Sequence, residues 1–261
     1  MTTSQTLLPI LSLSKRELVR FYRQRSRIIG SLLTPLLFWL FLGGGLTAAF
    51  PDSTLPGGGS FLQYYFPANL VLTILFVSIF SNMSLIEDRH EGFLQGVLVA
   101  PVTGVGMVGG KVVGGALIAL FQGVLFALLA PFAGFHLDVV SAFELVAILF
   151  LLSVMLTSLG FAFAWKVDSS QGFHAVMNTI LLPMWILSGT FFPLERAPMI
   201  LKPLMYLNPL SYGYSLVKSV MFKSSVEPFT TPVALGVSCL YTCLFIGVGI
   251  WLSKTNREVL K

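Results

Sequence analysis

Residues 63–86 read QYYFPANLVLTILFVSIFSNMSLI, an apolar run without a charged side chain. About 20 such residues, coiled as a helix, cross a hydrocarbon core roughly 30 Å thick. Five further runs of this kind lie at 29–50, 110–131, 142–165, 174–192 and 231–252, and none has a charge near its centre; Glu144 and Lys166 lie at the ends of theirs. The composition agrees. Of 261 residues 55% are hydrophobic and only 10% charged, with a mean hydropathy of +0.85, whereas soluble chains carry about 25% charged residues. The reading is an all-α integral membrane fold with six transmembrane helices.

Basic residues orient the runs, because loops on the cytoplasmic side carry an excess of Lys and Arg. Lys15, Arg16, Arg20, Arg23, Arg25 and Arg27 precede the first run, and Lys254, Arg257 and Lys261 follow the last. Arg89, Lys111 and Lys166 belong to the connections at 87–111 and 166–173, while those near 51–62 and 132–141 have no Lys or Arg. Both termini are therefore expected on the cytoplasmic side. The net charge of +5 gathers at the chain ends, where anionic headgroups explain it better than nucleic acid. Residues 193–230 must then lie outside, although they hold Arg196, Lys202, Lys218 and Lys223. Pro193, Pro198, Pro203 and Pro209 break this stretch too often for a span, yet it is too apolar for a free loop. It reads as an extracytoplasmic re-entrant helical hairpin, which must pack on protein or a cavity at membrane depth. The chain so divides into an N-terminal cytoplasmic interfacial helix (1–28), a six-helix membrane domain (29–252) and a cytoplasmic tail (253–261).

Two stretches outside the runs are amphipathic. Within 7–27, Arg16, Arg20, Arg23 and Arg27 fall within about 60° of one another, while Leu11, Leu18, Phe21 and Tyr22 face the other way. Such a helix lies in the headgroup plane, either as an anchor alone or with its polar face on a cytosolic partner. The apolar start, Leu7 to Leu13, runs into Lys15-Arg16-Glu17 rather than a small-residue cleavage site, so no cleaved leader is expected. The second stretch, Asp88 to Ala100, puts Phe93, Leu94, Val97 and Leu98 on one face and is ended by Pro101. On its residues alone it is equally a peg for a groove on another protein or a helix resting on the membrane.

The order Asp88-Arg89, Gly92-Phe93-Leu94-Gln95, Pro101-Val102 and Gly110-Lys111 resembles the permease subunits of type-2 ABC transporters, most of which are exporters. So does the outer segment, with Leu187-Ser188-Gly189-Thr190-Phe191-Phe192-Pro193-Leu194-Glu195, Pro198, Leu201-Lys202 and Asn208-Pro209-Leu210-Ser211-Tyr212. Phe93 stands where the family usually has a small residue, Gln95 where it has Glu, and Lys218 where it often has Arg.

The resemblance implies that the loop after the second crossing is a coupling helix docked on an ATPase subunit, through Asp88, Arg89, Glu91, Gly92, Phe93, Leu94, Leu98 and Pro101. Arg16, Glu17, Arg20 and Arg23 of the interfacial helix would support the same interface. Gly189, Pro193, Asn208 and Pro209 would shape an external gate. It implies two permease chains, identical or different, on two ATPase subunits in a bacterial inner membrane. The cargo would be amphipathic, lipid-linked or polysaccharide-like, and the absence of central charges fits ATP-driven rather than ion-coupled movement.

No catalytic or metal-binding residue is expected. His90, His136 and His174 are scattered and lack metal-ligand spacing. The segment Gly104 to Val112 has Val105 and Val112 where a phosphate-binding loop needs Gly and a hydroxyl, so ATP and Mg belong to the partner. Cys239 and Cys243, four apart in an apolar run, read as buried packing residues rather than a disulfide. The stripe Gly115, Ala119, Gly123, Ala127 permits close helix approach, within the chain rather than at a dimer seam. Asn69, Gln122 and Asn178 read as interhelical hydrogen-bond partners rather than a pathway lining. The rivals to a permease are a membrane enzyme acting on lipids, capped by 193–230, and a non-transporting scaffold for an ATPase.

Overall fold

The computed structural model describes residues 4–47, 60–100, 102–191, 194–223 and 228–259, and every regular element among them is helical. Helix α1 (Ser4–Arg23) stops where Gln24 leaves helical geometry, and α2 (Arg25–Phe38) leaves in a new direction. The bend between the two is 71°. A wide π-type turn at Trp39–Gly43 and a last turn to Thr47 extend α2. Ser60 caps α3 (Phe61–Ser81) by accepting the Gln63 N–H, which satisfies one of the unpaired donors of a first turn. Two short helices follow, α4 (Met83–His90) and α5 (Phe93–Val99). Thr103 caps α6 (Gly104–Ala127) in the manner of Ser60, through the Gly106 N–H at 2.9 Å. Next come α7 (Val139–Lys166), a helical run over 170–190 designated α8, α9 (Lys202–Leu207), α10 (Pro209–Phe222) and α11 (Thr231–Val259). The last helix carries through seven residues of the expected tail.

Helix α3 sits at the centre, with 83% of its most apolar window buried, against 17% for α11 at the periphery. Glycine decides how closely its neighbours approach. A Cβ on Gly115 of α6 would lie 2.5 Å from Ser81 Oγ, and one on Gly123 would collide with Ile74. The small-residue stripe thus packs against α3 within the chain, as expected. Trp39, Phe66 and Phe126 fill the gap between α2, α3 and α6, with Phe66 5.2 Å from Trp39 and 5.1 Å from Phe126.

Among the described residues, four helices are long and apolar enough to cross a membrane: those over Phe61–His90, Gly104–Ala127, Val139–Lys166 and Thr231–Lys254. A fifth is added if α1 and α2 are counted as one bent span. The remaining apolar runs are less regular than hydropathy alone suggests. Residues 48–50 of the first run lie outside the described residues. The run at 174–192 becomes α8, which holds Pro183, two π-type segments and a left-handed Gly189 at φ 96°. Short helices occur in the segment read as a hairpin: Pro203 and Pro209 occupy first turns of α9 and α10, where no N–H is required of them.

Two expectations change. Cys239 and Cys243 are exposed rather than buried, because α11 packs along one side only. Of the polar trio, Asn69 donates to Tyr65 O in its own helix at 2.9 Å, Gln122 reaches Ile28 O at 3.5 Å, and Asn178 is exposed. Asn82, which was not among them, makes a closer interhelical bond by donating to Thr157 O at 3.1 Å.

Candidate functional site

At the foot of α3 the chain gathers its charges. Asp88 on α4 is fully buried, and three cations from two other helices converge on it. Arg16 Nη1 and Nη2 donate to its two oxygens at 2.9 and 2.7 Å, and Arg20 Nη1 adds a bond at 3.0 Å. Lys111 Nζ, from the start of α6, donates to Asp88 Oδ2, to Glu17 Oε1 at 2.6 Å and to Ser84 Oγ at 3.2 Å. Arg20 Nη2 also pairs with Glu87 at 2.6 Å. Three carboxylates (Glu17, Glu87, Asp88) thus face three cations (Arg16, Arg20, Lys111). The balance matters, because an ion taken out of water without a partner costs several kcal/mol.

Glycine makes this knot possible. A Cβ on Gly110 would lie 2.7 Å from Leu13 Cβ, and one on Gly114 would lie 2.9 Å from Glu17 Cβ. These two positions let α1 settle on α6 closely enough for Glu17 to reach Lys111. The buried face of α1 is Leu13, Ser14, Glu17 and Phe21. Of the four residues read as its apolar face, only Phe21 is buried; Leu11, Leu18 and Tyr22 remain exposed. The helix therefore has an inward face, a basic face and an exposed apolar face, rather than two halves.

Arg89 points the opposite way from Asp88. Its guanidinium donates to Trp165 O at 2.8 Å and Val167 O at 3.0 Å, and pairs with Asp168 at 3.0 Å. Those carbonyls end α7 and have no helical partner, so a cation here also meets the negative end of the helix dipole. His90 Nε2 lies 2.8 Å from Asp168 O. Adjacent residues of one short helix thus hold α1 and α6 on one side and α7 on the other.

Gly92 turns the chain from α4 into α5 at φ +78°, a left-handed conformation natural to glycine. Beyond it Phe93 lies under Arg16, 3.8 Å from guanidinium carbon to ring centroid, a cation–π contact. Leu94 is buried against the protein, whereas Phe93 keeps 37% of its surface open and Val99 86%. Glu91 is exposed, 3.8 Å from Arg20. Arg23 is exposed and outside the knot. Pro101 and the side chain of Leu98 lie outside the described residues. Of the residues named from the resemblance, the fold brings Arg16, Glu17, Arg20, Asp88, Glu91 and Phe93 together and sends Arg89 elsewhere.

Lys111 and Glu87 are the members that sequence reading did not assign to the site. Lys111 carried a signal: a cation at the head of an apolar helix needs a buried partner, and glycines at 110 and 114 mark the face from which it comes.

At the opposite end, Asn208 joins α9, α10 and α8. Its Oδ1 accepts the Leu210 N–H at 3.0 Å, and its Nδ2 donates to Met184 O at 2.6 Å. Pro209 is buried in the first turn of α10, Gly189 breaks α8 beside Tyr214, and Pro193 is outside the described residues. Lys223 donates to Asp138 at 2.6 Å, which, with the Ser141 hydroxyl, holds the Asp138 carboxyl well below its usual range.

The sequence profile described as ABC-2 type transporter matches residues 9–222. The chain is 29% identical to the putative transport permease ycf38 of Cyanophora paradoxa over 255 residues, covering 93% of this chain and 86% of that one. It is 27% identical to the daunorubicin resistance ABC transporter permease protein DrrB1 of Streptomyces coeruleorubidus, covering 79% and 72%. It is 25% identical to the inner membrane transport permease YadH of Escherichia coli strain K12, covering 78% and 79%.

Proposed function

The chain belongs to the ABC-2 type transporter family, and from that premise we propose that it is the membrane half of an ATP-driven exporter whose energy enters through α4 and α5. A separate ATPase subunit supplies that energy. Its closure pushes on α5, whose exposed Phe93, Gln95 and Val99 offer a docking face. The observation carrying this reading is the split attachment behind that face. Asp88 is tied to α1 and α6 while Arg89 is tied to α7, so a displacement of one short helix moves three others. Charged groups suit this role because a buried ion pair resists separation more strongly than an apolar contact slides.

In the full reading the chain crosses the membrane six times with both termini in the cytoplasm of a bacterial cell, and α8 to α10 form the outer gate. Two permease chains and two ATPase subunits make the working unit. The exposed face of α8 supports a second permease chain, since Asn178 and Thr179 lie open among apolar neighbours, a poor surface for lipid. The cargo is amphipathic, lipid-linked or polysaccharide-like, in keeping with a relative named for daunorubicin resistance. ATP and Mg reside on the partner. The relatives' names as transport permeases support this reading over a lipid-modifying enzyme.

Co-purification from native membranes in mild detergent tests it, comparing wild type with Gly92→Asp and Phe93→Asp. A phosphate-loop ATPase should accompany the wild type and be lost from both variants. Recovery of the same ATPase with both variants would remove α5 as its docking site.

A further inference from the structure

We propose that the cleft between α1 and the end of α4 binds the phosphate headgroup of an anionic membrane lipid. The cleft, about 670 Å³ in volume, is lined by Ser12, Lys15, Arg16, Arg20 and Arg23 of α1, with Glu91 as its single carboxylate. The inference rests on the reading of α1 as an interfacial helix and adds a ligand to it.

The knot described above prepares this cleft. Arg16 and Arg20 are held in place by Asp88 and Glu87, which together take two N–H groups from each guanidinium. A guanidinium has five donors, so each arginine still has N–H groups to offer, already fixed in direction. Little side-chain freedom is left to lose when an anion arrives. Lys15 and Arg23 are exposed and, among the described residues, have no ion-pair partner. The cleft therefore combines two anchored guanidinium groups with two unneutralised cations, a donor set suited to a phosphodiester.

The apolar surroundings distinguish a lipid from a soluble anion or an acidic protein. Val19 lines the cleft itself. Past Lys15, on the face of α1 turned away from Arg16, Arg20 and Arg23, Leu11 is 67% and Tyr22 80% exposed. An acidic protein surface would leave this band in water, whereas a lipid whose phosphate sits in the cleft can lay its acyl chains along it. Tyrosine is suited to that boundary, with an apolar ring and a polar tip.

The test uses the purified full chain in mixed micelles of phosphatidylglycerol and phosphatidylcholine in equal amounts, with retained lipids counted by native mass spectrometry. Wild type should retain phosphatidylglycerol preferentially. Lys15→Gln and Arg23→Gln should each lower that preference about fivefold, while Lys254→Gln leaves it unchanged. Equal retention of the two lipids by wild type, or an unchanged preference in the Lys15→Gln/Arg23→Gln double variant, would overturn the proposal. Displacement of the lipid by inorganic phosphate would reassign the cleft to a free anion. A double variant that keeps its lipid preference but loses the ATPase would reassign it to the protein partner. The lipid count needs no ATPase, so its failure would leave the transporter reading standing.

Discussion

Arg16 and Asp88, 72 residues apart in sequence, meet as a two-pronged pair in which both terminal nitrogens of the guanidinium donate to the buried carboxylate, at 2.9 and 2.7 Å. The pair is the centre of a knot in which each buried charge faces an opposite one. Removing one member therefore costs more than the bond it makes, because its partners remain buried without a counter-charge. Asp88→Ala should destabilise the chain by about 3–5 kcal/mol, read as a lowered unfolding midpoint in detergent. Asp88→Ala/Lys111→Met should recover part of the loss. A double variant whose loss equals the sum of those of Asp88→Ala and Lys111→Met alone would show that the two side chains act independently.

Arg89 contributes a planar fork to carbonyls that the helix itself leaves unpaired. Lysine retains the charge but cannot reach Trp165 O, Val167 O and Asp168 together. Arg89→Lys should unfold near the wild-type temperature yet lose about tenfold in transport-coupled ATP hydrolysis by the assembled transporter, an effect of about 1.4 kcal/mol. Unchanged coupling would separate α7 from the transmission path.

Gly92 and Gly96 make a matched pair. Beyond the adjoining backbone, neither has an atom within 4 Å of where a Cβ would lie, but Gly92 is left-handed at φ +78° and Gly96 is inside α5. Alanine should therefore cost about 1–2 kcal/mol at 92 and stabilise by about 0.8 kcal/mol at 96. Chemical denaturation of the two variants measures both signs. Equal effects would mean that the turn tolerates another geometry.

Gly110 and Gly114 set the distance between α1 and α6. Gly114→Leu should push α1 off its seat, separate Glu17 from Lys111 and make α1 susceptible to proteolysis while the spans stay intact. Gly30→Ala, with nothing within 4 Å of its Cβ position, is the control. Protection of α1 in Gly114→Leu equal to wild type would contradict close packing as the basis of the knot.

Asn208 bonds to two different elements at once. Asn208→Ala should cost about 1–2 kcal/mol as a lost cap and loosen α8 from α10, seen as faster hydrogen exchange near Met184. Asn208→Asp keeps the oxygen for Leu210 but not the donor for Met184 O, so it should restore the cap alone. Exchange near Met184 as slow in Asn208→Ala as in wild type would show that this residue does not hold α8 to α10.

Hydropathy and charge placement made the membrane class legible, because lipid imposes a length and a polarity on any segment that crosses it. The amphipathic spacing of 7–27 and 88–100 likewise predicted helices, but each stretch is broken: α1 ends at Arg23, which puts Arg27 on α2, and Gly92 divides 88–100 between α4 and α5. Periodicity reports which residues of a helix share a face; it does not report what that face meets. Hence Leu11, Leu18 and Tyr22 could not be told from Phe21, and Lys111 could be read only as a loop cation and motif member. The same limit separates a long apolar run from a straight helix. Residues 174–192 satisfy hydropathy, yet Pro183 and the left-handed Gly189 break the geometry inside α8. What the sequence by itself determined is the solvent, the helical class and the family to which its motifs belong. Only the tertiary structure decided that Asp88 binds α1 and α6 while Arg89 binds α7. Opposite charges far apart in a chain attract any partner within reach, and it is the glycine-permitted contact of α1 with α6 that brings these particular ones together.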